Sequence, residues 1–183
     1  MNNYIALLRG INVSGQKIIK MDKLRDVLLS IGFHNVSTYI QSGNIIFQTN
    51  LFDKKTIEIE IASCIQKHFG HEVPVIVITP EELKTVVESN PFQQEKLDPA
   101  QPYVAFLSEK PSLVLLETLQ KLDFKEDSLV HHDATLYLHY ANSASATKLT
   151  NAVIERTLQV KSTTRNWKTL LQLMTLVNRI STT

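Results

Sequence analysis

Tyr4 to Leu8 is a short, uninterrupted apolar run, which predicts a buried strand, and Arg9-Gly10-Ile11-Asn12-Val13-Ser14-Gly15 reads as a glycine-punctuated loop. Met21, Leu24, Val27, Leu28 and Ile31 then recur at helical spacing, with Gly32 where a C-terminal cap is expected. Val36 to Ile40 and Asn44 to Thr49 are β-branched and aromatic, and the Ser42-Gly43 step between them reads as a hairpin turn. Ile57, Ile61, Ile65 and Phe69 keep one helical face. Val73 to Ile78 is a strand too apolar for a wet edge. Thr79-Pro80-Glu81-Glu82 opens another helix with a capping hydroxyl, a proline at the first position and a glutamate three residues after the cap. The order strand, helix, strand, strand, helix, strand predicts a ferredoxin-like unit over residues 1–92.

Asn90 through Pro102, rich in Pro and Gln, reads as a linker or long loop. Tyr103-Val104-Ala105-Phe106-Leu107 then echoes Tyr4-Ile5-Ala6-Leu7-Leu8 in character. A helix (Ser112 to Leu122) and a hairpin (Ser128 to His132, Thr135 to Tyr140) follow, suggesting a duplication. The second copy, residues 101–183, is expected to be a variant: a small-residue loop, Ala141 to Ala146, leads into two helices at about Lys148 to Leu158 and Thr164 to Ile180. The predicted class is α+β with two ferredoxin-like subdomains.

With 43% hydrophobic and 20% charged residues, the composition is that of a globular protein rather than a disordered or fibrous one. The net charge of +1 advertises no polyanion partner for the whole chain, but Lys148, Arg156, Lys161, Arg165, Lys168 and Arg179 face a single acid, Glu155, beyond residue 140. That end attracts anions locally. One cysteine, Cys64, excludes an intramolecular disulfide and fits a reducing compartment. No apolar run approaches a membrane span or a signal-peptide core, so a cytoplasmic location without membrane contact is expected.

Cys64 and His68 share a helical face, the minimum geometry of an activated thiol, but Cys64 also borders the face the helix must bury, and core packing is the expected role. His131, His132 and His139 invite a metal reading. Strand alternation turns His131 away from the other two, so no metal site is expected. Glu81-Glu82 is accounted for by helix capping. Phosphate-loop, dinucleotide and nucleophile-elbow motifs do not occur, no cofactor is implied, and Asn44 to Thr49 lacks the aromatic and basic spacing of an RNA-recognition strand.

Two regions remain. Arg9, Asn12, Tyr39, Gln41, Ser42 and Asn44 are polar groups at strand ends, where a rigid sheet can present them. Thr163-Thr164-Arg165-Asn166-Trp167-Lys168 is expected to open the last helix, so that Thr164 and Arg165 either cradle an anion at the helix N-terminus or merely cap it; Lys148 repeats the arrangement one helix earlier.

"ALLRGINV", "TYIQSGNIIF" and "KLTNAVIERTLQVKSTTRNWKTL" resemble the signature segments of the bacterial family named domain of unknown function 1697. The resemblance implies a soluble α+β protein of two ferredoxin-like subdomains and carries no established activity. The family pattern matches Arg9, Gly10, Asn12, Tyr39, Gln41, Ser42, Gly43 and Asn44, then Lys148, Leu149, Thr150, Asn151, Glu155, Arg156, Thr164, Arg165, Asn166 and Trp167. This chain departs from it with Ser14-Gly15 where the family usually has Gly-Gly, with Gln159 where it has glycine before Val160, and at Ala141-Asn142-Ser143, which lack an expected proline and glycine.

These readings combine into one expectation: a small anionic or nucleotide-like ligand held in a cleft between the subdomains. Arg165, Lys148 and Arg9 would hold the charge, and Asn12, Tyr39, Gln41, Ser42, Asn44, Asn151, Thr164 and Asn166 would orient the ligand. An alternative is nucleic-acid binding by a helix-turn-helix built from Leu149 to Leu158 and the helix opening at Arg165. Another is a protein-interaction or self-assembling module whose polar turns only stabilise the fold. Catalysis stays open, since Tyr39 and Glu155 are the only groups in the set able to transfer a proton.

Overall fold

The computed structural model describes residues 1–92 and 102–180. The linker expected at Asn90 to Pro102 therefore lies mostly outside the described residues. Among those described, six helices and two four-stranded antiparallel sheets make an α+β fold. The chain divides into two compact units: Met1–Lys84 with Leu173–Thr183, and Thr85–Gln172.

In the first unit the order is β1 (Asn2–Leu8), α1 (Met21–Ser30), β2 (His34–Tyr39), β3 (Asn44–Thr49), α2 (Lys54–Phe69) and β4 (Val75–Ile78), with α3 (Pro80–Glu88) following. The sheet runs β2-β3-β1-β4, every neighbour antiparallel. Alternation along β1 sends Tyr4, Ala6 and Leu8 to the helical face, where they pack with Phe47 and Val77 of the sheet and with Leu24, Leu28, Ile57, Ile61 and Ile65 of α1 and α2. Phe33 stacks on Phe47 with ring centroids 4.8 Å apart. Helix starts follow local chemistry. Asp53 Oδ2 accepts from the Thr56 N–H at 2.8 Å, which with the Thr56 hydroxyl holds the carboxyl below its ordinary value. The Thr79 hydroxyl and the Glu82 carboxylate exchange the two bonds of a capping box.

The second unit repeats the order with β5 (Pro102–Leu107), α4 (Leu113–Gln120), β6 (Ser128–His132), β7 (Thr135–His139), α5 (Asn151–Leu158) and β8 (Ser162–Asn166), and α6 (Trp167–Ile180) follows. Its sheet runs β6-β7-β5-β8. The echo between Tyr4–Leu8 and Tyr103–Leu107 extends to hydrogen bonds. The Leu8 N–H donates to Gly43 O and the Leu107 N–H to Ala134 O; one residue on, Arg9 donates to Pro74 O and Ser108 to Lys161 O.

The structure differs from the expected variant copy at its end. Residues 162–166 are not a helix start but strand β8, paired with β5 from Leu107↔Ser162 to Tyr103↔Asn166. Thr163 and Thr164 are β-branched, which suits a strand, while the helical periodicity begins only after them. Helix α6 starts at Trp167, with Asn166 Oδ1 accepting from the Thr169 N–H at 2.8 Å. Lys148 lies before α5 rather than in its first turn, because Thr150 is the cap and accepts from the Val153 N–H. β4 is apolar throughout yet forms a sheet edge, and its four residues are buried there.

Gln159 caps α5 with φ at 57°. The left-handed conformation strains any residue with a Cβ, so Gln159→Gly is expected to raise stability by about 1 kcal/mol, read as a higher urea midpoint at unchanged slope.

Candidate functional site

Three loops of the first unit meet at one end of its sheet. The β1–α1 loop is tied to the β2–β3 turn by Asn12, whose Nδ2 donates to Gln41 O at 2.9 Å and to Ile19 O at 3.0 Å while its Oδ1 accepts from the Ile19 N–H at 2.8 Å. The α2–β4 connection joins through the Arg9 N–H on Pro74 O and Lys17 Nζ on Glu72 O. Asn12 holds φ at 54°, a left-handed conformation that asparagine tolerates better than most residues. Within "TYIQSGN", buried Asn44 Nδ2 donates to Tyr39 O at 3.0 Å and to Ser42 Oγ at 3.1 Å. The amides of Asn12 and Asn44 are thus engaged in shaping the turn, and exposed Gln41 and half-buried Tyr39 stand beside them.

The other expected site residues, Lys148, Asn151, Thr164, Arg165 and Asn166, lie in the second unit. Asn151 Oδ1 accepts from both the Ser162 and Thr164 hydroxyls, at 2.8 and 2.9 Å, and Glu155 Oε1 accepts from the Ser162 N–H at 2.9 Å. This network fastens α5 to β8 and uses the amide and carboxylate proposed for binding or proton transfer. Arg165 is 7% exposed; its Nη1 donates to Thr163 Oγ1 at 2.8 Å and to Thr164 O at 2.9 Å, and burial lowers its pKa to about 10. It is a buried strand cation, not a surface hook at a helix N-terminus. With β8 between α5 and α6, the helix-turn-helix geometry is absent as well, and the buried Arg165 cannot reach a groove.

Lys148 belongs to a different group. A pocket of about 380 Å³ is lined by Phe124, Lys125, Glu126 and Asp127 on one side and by Asn142, Ser143, Ala146, Thr147 and Lys148 on the other. Asp127 ties the two sides together: Oδ1 accepts from the Ala141 N–H at 2.9 Å and Oδ2 from the Thr147 hydroxyl, and Thr147 Oγ1 in turn accepts from the Leu149 N–H at 2.9 Å. Nearby Tyr140 donates to Leu149 O, and burial, followed by the Tyr103 and Asp127 charges, raises its phenol well above the ordinary range. In the sequence, Ala141 to Ala146 reads only as a small-residue loop. Its signal was the hydroxyls and amide crowded beside Lys148, but the return of Phe124 to Asp127 across 15 or more residues is a tertiary fact.

Cys64 is buried beside His68, whose Nδ1 contacts Cys64 O at 2.9 Å, and burial pushes the thiol above its ordinary value. A raised thiol is a poor nucleophile, in keeping with core packing. Among the described residues, no group of three His, Cys, Asp or Glu side chains could hold a metal ion, and no helix is long and apolar enough to cross a membrane.

The family model described as "Protein of unknown function (DUF1697)" matches residues 1–137, three quarters of the chain. The chain belongs to the DUF1697 family. It is also similar to the solved structure of the conserved bacterial protein SP0830 from Streptococcus pneumoniae, with 25% identity and a TM-score of 0.74 over 96% of this chain and 98% of the other. No curated protein matches. Both the three-loop cluster and the Phe124–Asp127 side of the pocket fall inside the matched residues; Asn142 to Lys148 fall outside them.

Proposed function

We propose that this DUF1697 protein is a small-anion-binding protein of the cytoplasm, built from two ferredoxin-like units of common ancestry, and that its ligand site is the pocket between Phe124–Asp127 and Asn142–Lys148. The ferredoxin-like reading is supported by the repeated β-α-β-β-α-β order, the equivalent strand orders and the paired hydrogen bonds at Leu8 and Leu107. A single buried thiol supports the reducing compartment.

The observation that carries the ligand reading is the pocket's lining, in which Lys125 and Lys148 stand with Ser143 and Asn142 beside the acidic Glu126 and Asp127, in a volume of about 380 Å³. Ligand pockets span roughly 300–1,000 Å³, so this one suits a compact molecule such as a sugar phosphate, a dicarboxylate or a nucleoside monophosphate. Lysines supply point charge, hydroxyl and amide supply directional bonds, and Phe124 supplies an apolar wall. The Asp127 carboxylate accepts from the Thr147 hydroxyl and the Ala141 N–H, which offsets part of its repulsion of an anion, and the two lysines must also outweigh Glu126.

The test is a thermal-shift and calorimetric titration with inorganic phosphate, sugar phosphates, nucleotides and dicarboxylates. A ligand present at a hundredfold excess over its Kd stabilises the native state by about 2.7 kcal/mol, a readily visible shift. Lys125 and Lys148 are exposed, so Lys125→Ala/Lys148→Ala should fold as the parent does and lose at least about tenfold in affinity, the equivalent of roughly 1.4 kcal/mol. Undiminished binding in the double variant would move the site elsewhere.

A further inference from the structure

Each sheet has two edges, and three of the four carry a device that blocks pairing with another strand. On β4 the Val77 N–H, which points away from β1, donates to Glu58 Oε1 of α2 at 2.9 Å. On β8 the outward Ser162 N–H donates to Glu155 Oε1 of α5 at 2.9 Å, so the second helix of each unit caps the neighbouring edge with a carboxylate. β2 breaks its register between His34 and Ser37, with Asn35 at φ 50°, and an irregular edge is a poor template.

Among the described residues, β6 has no such device. Its register with β7 is unbroken from Ser128↔His139 to His132↔Thr135, closed by the two-residue turn Asp133-Ala134 with Asp133 at φ 52°. In a hairpin of that length the residues flanking the turn form a hydrogen-bonded pair, and the pattern alternates from there. The N–H and C=O groups of Leu129 and His131 therefore point away from β7, towards the open edge. Residues 128–132 contain no Lys, Arg, Asp or Glu, and the β-branched Val130 stands 40% exposed between exposed Ser128 and His132.

We propose that β6 is a self-association edge: two copies of the chain join their second sheets by pairing β6 antiparallel about a two-fold axis through Val130. That register puts Leu129 opposite His131 of the other copy on both sides of the axis. These are the residues whose backbone groups face outward, so roughly four N–H···O bonds close without a slip. Val130 meets its own counterpart at a non-hydrogen-bonded position, where side chains approach closest, and Ser128 faces His132. The strand is self-complementary about its own centre, which favours a second copy over an unrelated peptide. A five-residue edge covers less than the roughly 800 Å² per partner of a standard interface, so the dimer is weak and depends on concentration. The inference is independent of the anion pocket.

Sedimentation velocity of the full chain, from low micromolar to about 0.5 mM, is expected to show a monomer passing into a dimer. Val130→Lys and Val130→Glu each place like charges face to face and should each weaken association at least about tenfold. An equimolar mixture of the two variants should recover the dimer as a heterodimer. Val130 is exposed, and melting curves matching the parent's will verify that the variants fold. A parent that stays monomeric throughout, a Val130→Lys protein that dimerises as well as the parent, or a mixture that fails to recover the dimer overturns the proposal.

Discussion

Gly43→Ala is expected to destabilise the protein by about 2–5 kcal/mol, the sum of a left-handed backbone penalty of roughly 1–2 and an overpacking penalty of roughly 1–3. Gly43 holds φ at 80°, and a Cβ there would sit 2.6 Å from Leu8 Cβ and 2.8 Å from Ile11 Cδ1. Leu8 cannot withdraw, since its N–H is bonded to Gly43 O and its side chain is part of the first unit's core. A melting temperature lowered by on the order of 10 °C is the expected readout. Gly15→Ala is the control: φ is 73°, but nothing lies within 4 Å of its added Cβ, so only the backbone penalty applies. If both variants melt alike, the close approach to Leu8 carries no weight.

Arg165→Ala should be the other large effect, a loss of about 2–4 kcal/mol, because truncation leaves a void and removes the donor from Thr163 Oγ1 and Thr164 O. Arg165→Met, which keeps apolar length without the charge, should lose clearly less, since an apolar replacement also removes the desolvation of the guanidinium. The pH dependence has a definite sign. Burial lowers the folded-state pKa from its ordinary value to about 10, so above about pH 10 the unfolded chain holds a proton that the native state has lost, and stability rises with pH there. Below pH 10 both states are charged, the desolvation penalty is constant, and Arg165 contributes no slope near neutrality. Urea midpoints at pH 7 for the parent and both variants check this: equal losses for Ala and Met would mean that the guanidinium's own bonds outweigh its burial. Because the expected losses are large, ligand binding by Arg165→Ala would report on folding as much as on charge, and Lys148 is the cleaner probe of the anion reading.

The helices of the first unit were legible because each announces itself locally. α2 has Asp53 at its cap and an isoleucine every fourth residue; α3 has the Thr79–Glu82 capping box. The echo of Tyr4–Leu8 in Tyr103–Leu107 was likewise visible, and the two strands share equivalent sheet positions. β8 was missed because a five-residue strand with one apolar neighbour and three hydroxyls has no periodicity of its own. It becomes a strand by pairing with β5 and by the bonds that Asn151 and Glu155 extend to it. That one error moved Arg165 from a buried strand to an imagined helix mouth and made a helix-turn-helix of two helices that a strand separates.

By itself, then, the sequence determined what depends on neighbours a few residues apart: the α+β class, the helix caps, the hairpin turns and the requirement for glycine at a turn such as Gly43. Only the tertiary structure decided which polar groups are engaged and which face solvent. Asn12, Asn44 and Asn151 read as ligand-binding groups and Glu155 as a proton-transfer group, but each is held by a partner 5 to 29 residues away. Lys125 had no signal until the chain's return brought it to the same pocket as Lys148. Hydrogen-bonding capacity belongs to the residue, but whether it is already satisfied depends on groups brought near by folding.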